Sequence, residues 1–274
     1  MNIEFCNSQS EVGFIYVASC DKLYYELALI SCQSLKDYYP DSHVTLFTHK
    51  EFLDNRAEIF DQVITGIPIH NRAKMWCMAR TPYKKTLYND CDSLIRHRDV
   101  KKIHDFLEDS DMFFGSQLEY TVSNYKWAFI DKACTIKSKY HGSLCGYVSS
   151  EIVLQFMQDW FDEYNKQQNS EWNYTEYYKE WKQFDMFTLW RMTSGLFPEF
   201  DNYKQLNIKI IPRRYNNTCC EIPQEFEGNP VITQISRSTW PKMTTVWNNI
   251  TMELQNAPNK IKTKSNNKIS IEYN

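Results

Sequence analysis

The first third of the chain alternates short apolar runs with longer segments in which apolar residues recur every three or four positions. Residues 13–18, 43–48 and 62–65 are short, apolar and rich in β-branched side chains, which predicts buried strands. Between them, residues 22–39 carry apolar side chains at helical spacing, and residues 52–60 also fit a helix. The order strand, helix, strand, helix, strand predicts right-handed βαβ units and a mostly parallel sheet.

The next segment brings two acidic residues to the end of a predicted strand. Residues 73–80 fit a helix that ends at Thr81-Pro82, and the strand-like segment 85–88 then leads directly into Asn89-Asp90-Cys91-Asp92. In open α/β sheets, ligands bind in a crevice beside the carboxyl ends of the strands. We therefore expect Asp90 and Asp92 to line a binding crevice.

The second half of the chain is less regular but continues the alternation. Strands are predicted over 112–116 and 144–148, followed by a long amphipathic helix from Glu151 to about Lys166. Further short elements are predicted over residues 100–107, 184–192, 208–211, 231–235 and 239–254. The sequence contains no repeat and no linker, which predicts one α/β domain over residues 1–255 and a polar C-terminal tail over 256–274.

Composition narrows the classes of protein to consider. With 31 basic and 34 acidic residues the net charge is −3, which disfavours binding of nucleic acid or of an anionic membrane as the main role. The nine cysteines show no repeated metal-ligand spacing, and the first residues show no basic start followed by a long apolar run. No run of eighteen apolar residues occurs. We therefore predict a cytoplasmic protein with reduced thiols and no transmembrane segment.

Two carboxylates two residues apart at a strand end can hold one divalent cation and leave its other positions open for a ligand. Mg²⁺ and Mn²⁺ prefer such hard oxygen ligands and can bridge the two phosphates of a nucleotide diphosphate. Asp90 and Asp92 lie between apolar segments, where unpaired acids would be costly, and this favours metal binding. A second pair with the same spacing, Asp109 and Asp111, fits a solvated turn.

The segment TPYKKTLYNDCDSLI resembles the strand and Asp-x-Asp motif of GT-A glycosyltransferases, in particular glycosyltransferase family 8 and its glycogenin-like members. YVASCDKLYYELALISCQSLKDYYP resembles the first strand, nucleotide loop and first helix of that family, and RAKMWCMA resembles its helix with a donor-facing lysine. The resemblance extends over about residues 13–195. It implies a single GT-A domain with a Rossmann-like, mostly parallel mixed sheet flanked by helices and an irregular C-terminal part. The nucleotide-sugar half would span about residues 13–116 and the acceptor half about 117–255.

The resemblance also implies roles for individual residues. Donor binding is implied for Ala18, Ser19, Asp21, Tyr24, Lys74, Asp90, Cys91, Asp92 and Lys242. Metal binding is implied for Asp90, Asp92 and Gln234, and catalytic contributions for Lys74 and Asp185. Structural roles stay open for two of these residues, because Asp21 also fits the N-cap of the first helix and Asp185 a charge at a helix N-terminus.

Three departures from the family pattern bear on the site. Met186 stands where the family has a glutamine after Asp185, and His141-Gly142-Ser143 replaces an Asn-Ser-Gly order. No histidine follows His141, so Gln234 stands where the family supplies a histidine as the third metal ligand. A neutral amide oxygen binds a hard cation more weakly than imidazole or carboxylate.

These features predict a metal-dependent glycosyltransferase that uses Mn²⁺ or Mg²⁺ to move a hexose from a nucleotide-diphosphate sugar, with a UDP-sugar as the expected donor, to a hydroxyl acceptor. The resemblance implies retention of anomeric configuration. Two alternatives stay open. A sugar-phosphate nucleotidyltransferase would ordinarily have a glycine-rich phosphate loop after the first strand, and SCDKLYY has no glycine. A non-catalytic nucleotide-sugar-binding module of the same fold is favoured by the missing histidine. The acceptor could be a glycan, a protein, a lipid-linked group or a modified base.

Overall fold

The elements of the chain follow the predicted alternation of strands and helices. The computed structural model describes residues 10–116, 130–131, 134–135, 140–169, 185–195, 197–218, 229–234 and 270–272. The strands are β1 (Val12–Val17), β2 (Val44–Phe47), β3 (Gln62–Thr65), β4 (Lys85–Asn89), β5 (Ser93–Ile95), β6 (Met112–Ser116), β7 (Ile130–Asp131), β8 (Cys134–Thr135), β9 (Tyr140–Val148), β10 (Ile208–Ile210), β11 (Asn217–Thr218), β12 (Ile232–Gln234) and β13 (Ser270–Glu272). The α-helices are α1 (Lys22–Tyr38), α2 (Ala73–Met78), α3 (Glu151–Asn169) and α4 (Asp185–Thr193), and 3-10 helices span Lys50–Phe52, Asn55–Ile59, Arg98–Leu107, Pro198–Tyr203 and Arg213–Tyr215.

An eight-stranded sheet has the order β10-β6-β9-β4-β1-β2-β3-β13. Strand β9 runs antiparallel to both of its neighbours, β4 and β6, whereas the other neighbouring strands in this order are parallel. The predicted α/β class with a mostly parallel mixed sheet is therefore confirmed. Because β9 is reversed, its middle residue Leu144 lies opposite Asn89, the last residue of β4, and the first residues of β9 extend past the end of β4. This edge of the sheet is where the acidic pair lies.

Both faces of the sheet are covered, as the continuous apolar runs of the strands require. In β1, Phe14 and Tyr16 point into one core together with α1 and the 3-10 helix Arg98–Leu107. Ile15 and Val17 point into a second core with α2, α3 and α4. The alternation of side chains along one strand thus joins two hydrophobic layers through the sheet.

The helices differ from the sequence expectations mainly in type and length. Asp21 caps α1 by accepting a hydrogen bond from the Leu23 amide at 2.8 Å, which confirms its predicted capping role. The helix predicted over 52–60 is instead two 3-10 turns, and the second of them is capped by Asp54, which accepts from the Arg56 amide at 2.9 Å. The helix predicted over 100–107 is likewise a 3-10 helix. Among the described helices, none is both long and apolar enough to cross a membrane.

Two predictions concern the C-terminal part of the chain. The helix expected over 239–254 lies outside the described residues. Residues 256–274 were expected to form a polar tail, whereas Ser270–Glu272 pair in parallel with β3 and form the last strand of the sheet. An edge strand supplies the backbone partners that the open side of β3 needs.

We expect Gly13→Ala to destabilise the fold by about 1–3 kcal/mol, because it overpacks the sheet. A Cβ atom at this position would lie 2.2 Å from the Tyr83 ring. That ring cannot move aside easily, because its hydroxyl lies 2.6 Å from His43 Nδ1 and 2.7 Å from Thr45 Oγ1. Urea unfolding of the variant measures the loss. In a Tyr83→Leu background the same substitution should cost much less, and an equal cost in both backgrounds would contradict this explanation.

Candidate active site

The acidic pair forms a tight turn between β4 and β5. The Asp90 amide donates to the Ser143 carbonyl on β9 at 2.8 Å, and the Ser93 amide donates to the Asp90 carbonyl at 3.1 Å. Cys91, between the two acids, points the opposite way, and its buried thiol donates to the Val17 carbonyl at 3.2 Å. Burial, and then the charges of Asp90 and Asp92, raise the pKa of this thiol far above its ordinary value. Cys91 can therefore offer a ligand its backbone but not its thiolate.

Gln234 lies against both carboxylates of the pair. Strand β12 is antiparallel to β5 and sets Gln234 opposite Ser93. The side-chain amide of Gln234 donates to Asp90 Oδ2 at 3.1 Å and lies 3.5 Å from Asp92 Oδ1. The structure thus brings together the three residues that the resemblance named as metal ligands. Among the described residues, no three His, Cys, Asp or Glu side chains converge as a metal site.

The electrostatics of the pair fit a divalent cation. Burial, and then the negative charge of Asp90, raise the pKa of Asp92 to about 7, and the Gln234 amide only partly offsets this. Asp90 also accepts from the Tyr88 hydroxyl and lies 3.6 Å from Lys74 Nζ, but two neighbouring acids remain unfavourable when both are ionised. A hard cation between them would remove that cost, and rotation of the Gln234 amide would present its oxygen as a third ligand.

Lys74 connects the acidic pair to a third buried acid. From α2, its Nζ lies 3.2 Å from Asp185 Oδ2 and 3.6 Å from Asp90 Oδ1, and it donates to the Gly142 carbonyl at 2.9 Å. It also lies over the Tyr88 ring, 5.5 Å from the centroid, and the Tyr88 hydroxyl donates to Asp90. Only 12% of the Lys74 side chain is exposed. Burial favours the neutral amine, but the carboxylates of Asp185 and Asp90 outweigh it and raise the pKa of Lys74.

Asp185 is the first residue of α4 and is held as an anion by two cations. Arg72 Nε lies 3.0 Å from Asp185 Oδ1, on the side opposite Lys74. Burial favours the neutral acid, but Lys74 and Arg72 outweigh it and lower the pKa of Asp185. Lys74 and Asp185 were predicted separately from the sequence, and Arg72 was not predicted. The only signal for Arg72 was its position two residues before Lys74, which places both side chains at the start of α2.

The lack of a side chain at Gly142 lets the side chains of Met186 and Asp185 come close to the backbone of β9. A Cβ atom at Gly142 would lie 3.3 Å from Met186 Sδ and 3.6 Å from Asp185 Oδ2. The Gly142 amide meets Met186 Sδ at 3.0 Å, so Met186 packs against the backbone of β9 beside Asp185. A larger residue at position 142 would push α4 away from Lys74.

The polar groups of the predicted nucleotide loop form hydrogen bonds with neighbouring loops. The Ser19 hydroxyl donates to the Pro68 carbonyl at 2.9 Å, accepts from the His70 amide at 3.2 Å and lies 3.3 Å from His49 Nε2. The Ala18 carbonyl accepts from the Thr48 hydroxyl at 3.0 Å. Donor contacts for Ala18, Ser19 and Asp21 stay predictions, because the polar groups seen here tie the loop to its neighbours.

Tyr24 lies near the acidic pair. Its side chain belongs to α1 and is 46% exposed. Burial, and then the charge of Asp92, raise its pKa, which places the phenol within electrostatic reach of that acid. An exposed ring at this place is available for stacking on a flat ligand group. Lys242, the remaining predicted donor contact, lies outside the described residues.

Comparison with known proteins gives relatives by structure but not by sequence. No family model and no curated protein sequence matches the chain. Among solved structures, the galactosyltransferase LgtC in complex with donor and acceptor sugar analogues matches with a TM-score of 0.57 and 12% identity, over 92% of this chain and 97% of LgtC.

Two further structures match over most of this chain. The glycosyltransferase GlyE of Streptococcus pneumoniae TIGR4 matches with a TM-score of 0.55 and 14% identity, over 93% of this chain and 66% of GlyE. The bifunctional glycosyltransferase WbbM matches with a TM-score of 0.53 and 8% identity, over 93% of this chain and 53% of WbbM. At such low identity, these matches establish a shared fold. The fold predicted from the resemblance is confirmed, whereas membership of family 8 stays a prediction.

Proposed function

We propose that the protein is a metal-dependent glycosyltransferase that moves a hexose from a nucleotide-diphosphate sugar, with a UDP-sugar as the expected donor, to a hydroxyl acceptor. The observation that carries this proposal is the convergence of Asp90, Asp92 and Gln234 at the end of β4, in a fold shared with sugar transferases. Neither feature suffices alone, because one fold hosts many functions and paired acids are common.

Under this proposal, each candidate residue of the crevice has a defined role. Asp90, Asp92 and the Gln234 amide oxygen would hold Mn²⁺ or Mg²⁺, which when bound supplies positive charge to the departing diphosphate. Asp185, kept ionised by Lys74 and Arg72, can accept hydrogen bonds from sugar hydroxyls. Tyr24 can stack on the base of the donor. Retention of configuration and a cytoplasmic location remain part of the proposal.

A thermal-shift titration with UDP-glucose and UDP-galactose, each with and without Mn²⁺, tests the proposal. At a concentration about 100 times Kd, a ligand that binds only the folded state stabilises it by roughly 2.7 kcal/mol, which corresponds to about 5–10 °C in Tm. We expect this shift only when sugar nucleotide and metal are both present, together with slow release of UDP. Binding without hydrolysis or transfer would favour the non-catalytic module.

The second Asp-x-Asp pair supplies a matched control for this test. Asp109 is 74% exposed and forms an ion pair with Lys209 at the surface. Asp109→Asn should therefore leave both the Mn²⁺-dependent shift and the hydrolysis unchanged. A loss of either in this variant would show that the assay does not report on the crevice.

Replacement of the weakest candidate ligand should strengthen metal binding. Gln234→His puts an imidazole beside the two carboxylates, and we expect the Mn²⁺ concentration for half-maximal thermal shift to fall by about tenfold, or roughly 1.4 kcal/mol. Gln234→Leu, which removes the amide, should raise that concentration. Equal Mn²⁺ affinity in the wild type and in both variants would exclude position 234 from the metal site.

A further inference from the structure

His70 lies in the turn that leads into α2 and contacts three parts of the fold. Its backbone amide donates to the Ser19 hydroxyl of the nucleotide loop at 3.2 Å. Its ring nitrogen Nδ1 accepts from the Arg72 amide at 3.0 Å, and its carbonyl accepts from the Ala73 amide at 3.0 Å. The ring packs edge-on against Phe161 of α3, with the ring centroids 5.0 Å apart. His70 thus joins the nucleotide loop, α2 and α3.

The hydrogen bond from the Arg72 amide fixes the protonation of the His70 ring. A backbone N–H can only donate, so Nδ1 must carry a lone pair, and the proton of the neutral ring lies on Nε2. A proton on Nδ1 would set two donors against each other at 3.0 Å. The hydrogen bond therefore forms only with the neutral ring, and an imidazolium would break it.

The turn closed by this hydrogen bond carries two cations of the crevice. Arg72 and Lys74 follow shortly after His70, and both contact Asp185, Arg72 through Nε at 3.0 Å and Lys74 through Nζ at 3.2 Å. Helix α2 has only six residues, so it has little stability of its own and depends on contacts at its start. A displaced turn would move both cations away from Asp185.

The surroundings of the His70 ring favour its neutral form. Burial, and then the positive charge of Arg72, lower the pKa of His70 below its ordinary value of 6.5, whereas a hydrogen bond with the Asn165 side chain opposes this shift. Tyr164 of α3 also faces the ring, with 5.9 Å between the centroids, and burial raises the pKa of its phenol. On the side of the nucleotide loop, His49 Nε2 lies 3.3 Å from the serine hydroxyl that contacts the His70 amide.

We propose that His70 is a positioning residue of the crevice, whose neutral ring holds the turn from which Arg72 and Lys74 reach Asp185. This inference rests on the proposed function, in which ionised Asp185 binds hydroxyls of the donor sugar. The candidate metal ligands belong to the β4–β5 turn and to β12. Loss of the His70 acceptor should therefore slow turnover and leave metal binding largely unchanged.

Two substitutions of His70 separate its hydrogen bond from the packing of its ring. His70→Asn keeps an acceptor, because asparagine side chains commonly accept from the amide two residues further on, but it loses the ring contacts. His70→Leu keeps an apolar side chain against Phe161 but has no acceptor. A residue that only packs would therefore tolerate leucine better than asparagine, whereas a positioning residue would tolerate asparagine better.

Hydrolysis of UDP-glucose and UDP-galactose in saturating Mn²⁺ at pH 8 measures this order. We expect kcat to fall by roughly 10- to 100-fold in His70→Leu and by less than about threefold in His70→Asn. The Mn²⁺ concentration for half-maximal thermal shift should stay within about threefold of the wild type in both variants. The opposite order of the two kcat values would overturn the inference.

His97 supplies a matched control for the loss of the hydrogen bond. Its Nδ1 accepts from the Asp99 amide at 3.2 Å, in the same arrangement two residues apart. It lies at the start of the 3-10 helix Arg98–Leu107, which packs on the opposite face of the sheet from α2. His97→Leu should lower the melting temperature and leave kcat unchanged. A fall in kcat equal to that of His70→Leu would show that any loss of stability slows turnover, and would overturn the inference.

Nitrogen-15 NMR of histidine-labelled protein measures the protonation of His70 without any ligand. We expect an unprotonated Nδ1 and a protonated Nε2 at pH 8, with the resonances assigned by their absence from His70→Asn. A protonated Nδ1 would mean that the ring has the opposite orientation, and would overturn the inference even in a protein that transfers sugar.

The pH dependence of turnover gives a readout that packing alone would not change. We expect the ratio of wild-type kcat to His70→Asn kcat to fall as pH decreases, with the midpoint that the NMR titration gives for His70. Groups such as Asp92, whose pKa is raised to about 7, titrate in both proteins and cancel in the ratio. A constant ratio across that midpoint would overturn the inference. This comparison needs only the wild type and His70→Asn, so it decides the matter if His70→Leu unfolds.

Failure of the proposed function gives a different result from failure of this inference. Wild-type protein that shows the expected tautomer but neither binds nor hydrolyses a nucleotide sugar would overturn the proposed function and this inference with it. Wild-type protein that hydrolyses the donor, with the same kcat in folded His70→Leu, would overturn this inference alone.

Discussion

Asp92→Asn should abolish Mn²⁺-dependent turnover and should also raise the melting temperature of the metal-free protein at pH 8. The pKa of Asp92 is raised from an ordinary value of 3.8 to about 7. Between these two values the folded state holds a proton that the unfolded state has lost. The free energy of unfolding therefore falls as pH rises from about 4 to 7, and the protein carries the full cost of the ionised acid above pH 7.

Asparagine removes that cost because it has no charge at any pH. At pH 5 part of that cost is already present, because the unfolded state has lost its proton there, so the advantage of Asp92→Asn over the wild type should be clearly smaller at pH 5 than at pH 8. At pH 8 the variant should be the more stable protein. Its turnover should be lower by at least about 100-fold, because a charge that stabilises the departing group is lost with the metal.

Melting curves at pH 5 and pH 8 in a chelator, and donor hydrolysis in Mn²⁺, measure both parts of this prediction. Asp109→Asn serves as the control, because that acid is exposed and pairs with Lys209 at the surface. If Asp92→Asn kept the turnover of the wild type, the proposed role of the metal in the reaction would be wrong. Equal stability of the two proteins at pH 8 would mean that Asp92 is not strained by burial.

Lys74→Met should cost about 3–5 kcal/mol of folding free energy, because it leaves buried carboxylates without their shared cation. The lysine contacts Asp185, whose side chain is only 6% exposed, and Asp90. Methionine is similar in length and shape, so the loss reports charge more than packing. We also expect turnover to fall by at least about 100-fold, because Asp185 and Asp90 lose the group that orients them.

A second substitution separates the stability effect from the catalytic effect. Asp90→Asn in the Lys74→Met background removes the acid that has lost Lys74, whereas Asp185 keeps Arg72, so it should recover much of the stability but none of the turnover. Lys84→Met is a suitable control, because Lys84 pairs with Glu11 at the surface and such pairs contribute about 0–1 kcal/mol. A Lys74→Met protein as stable as the Lys84→Met protein would show that the buried cluster is not a single electrostatic unit.

Much of the fold could be predicted because each strand is recognisable from its own short run of apolar residues. Runs such as residues 13–18 are apolar on both faces, and they occur where a parallel sheet covered by helices requires it. The position of Asp90 and Asp92 followed from the strand before them, and the capping role of Asp21 followed from its place before α1. These inferences need only neighbouring residues.

The remaining features depend on contacts between distant parts of the chain. Lys74 and Asp185 were named separately, but no local pattern shows that they meet, or that Arg72 completes the cluster. The contact of Gln234 with the acidic pair depends on the pairing of β12 with β5. The prediction of one helix over residues 52–60 was wrong because the backbone is extended at Leu53 and Asp54, which divides the segment into two short 3-10 turns.

The Ser19 hydroxyl joins three loops at the predicted nucleotide-binding side of the crevice. One oxygen contacts the loops that follow β1, β2 and β3, through Ser19 itself, His49 and the segment Pro68 to His70. Because these contacts share one oxygen, we expect the opening of any one of the three loops to weaken the protection of the His70 amide, so hydrogen exchange at that amide should report on all three loops.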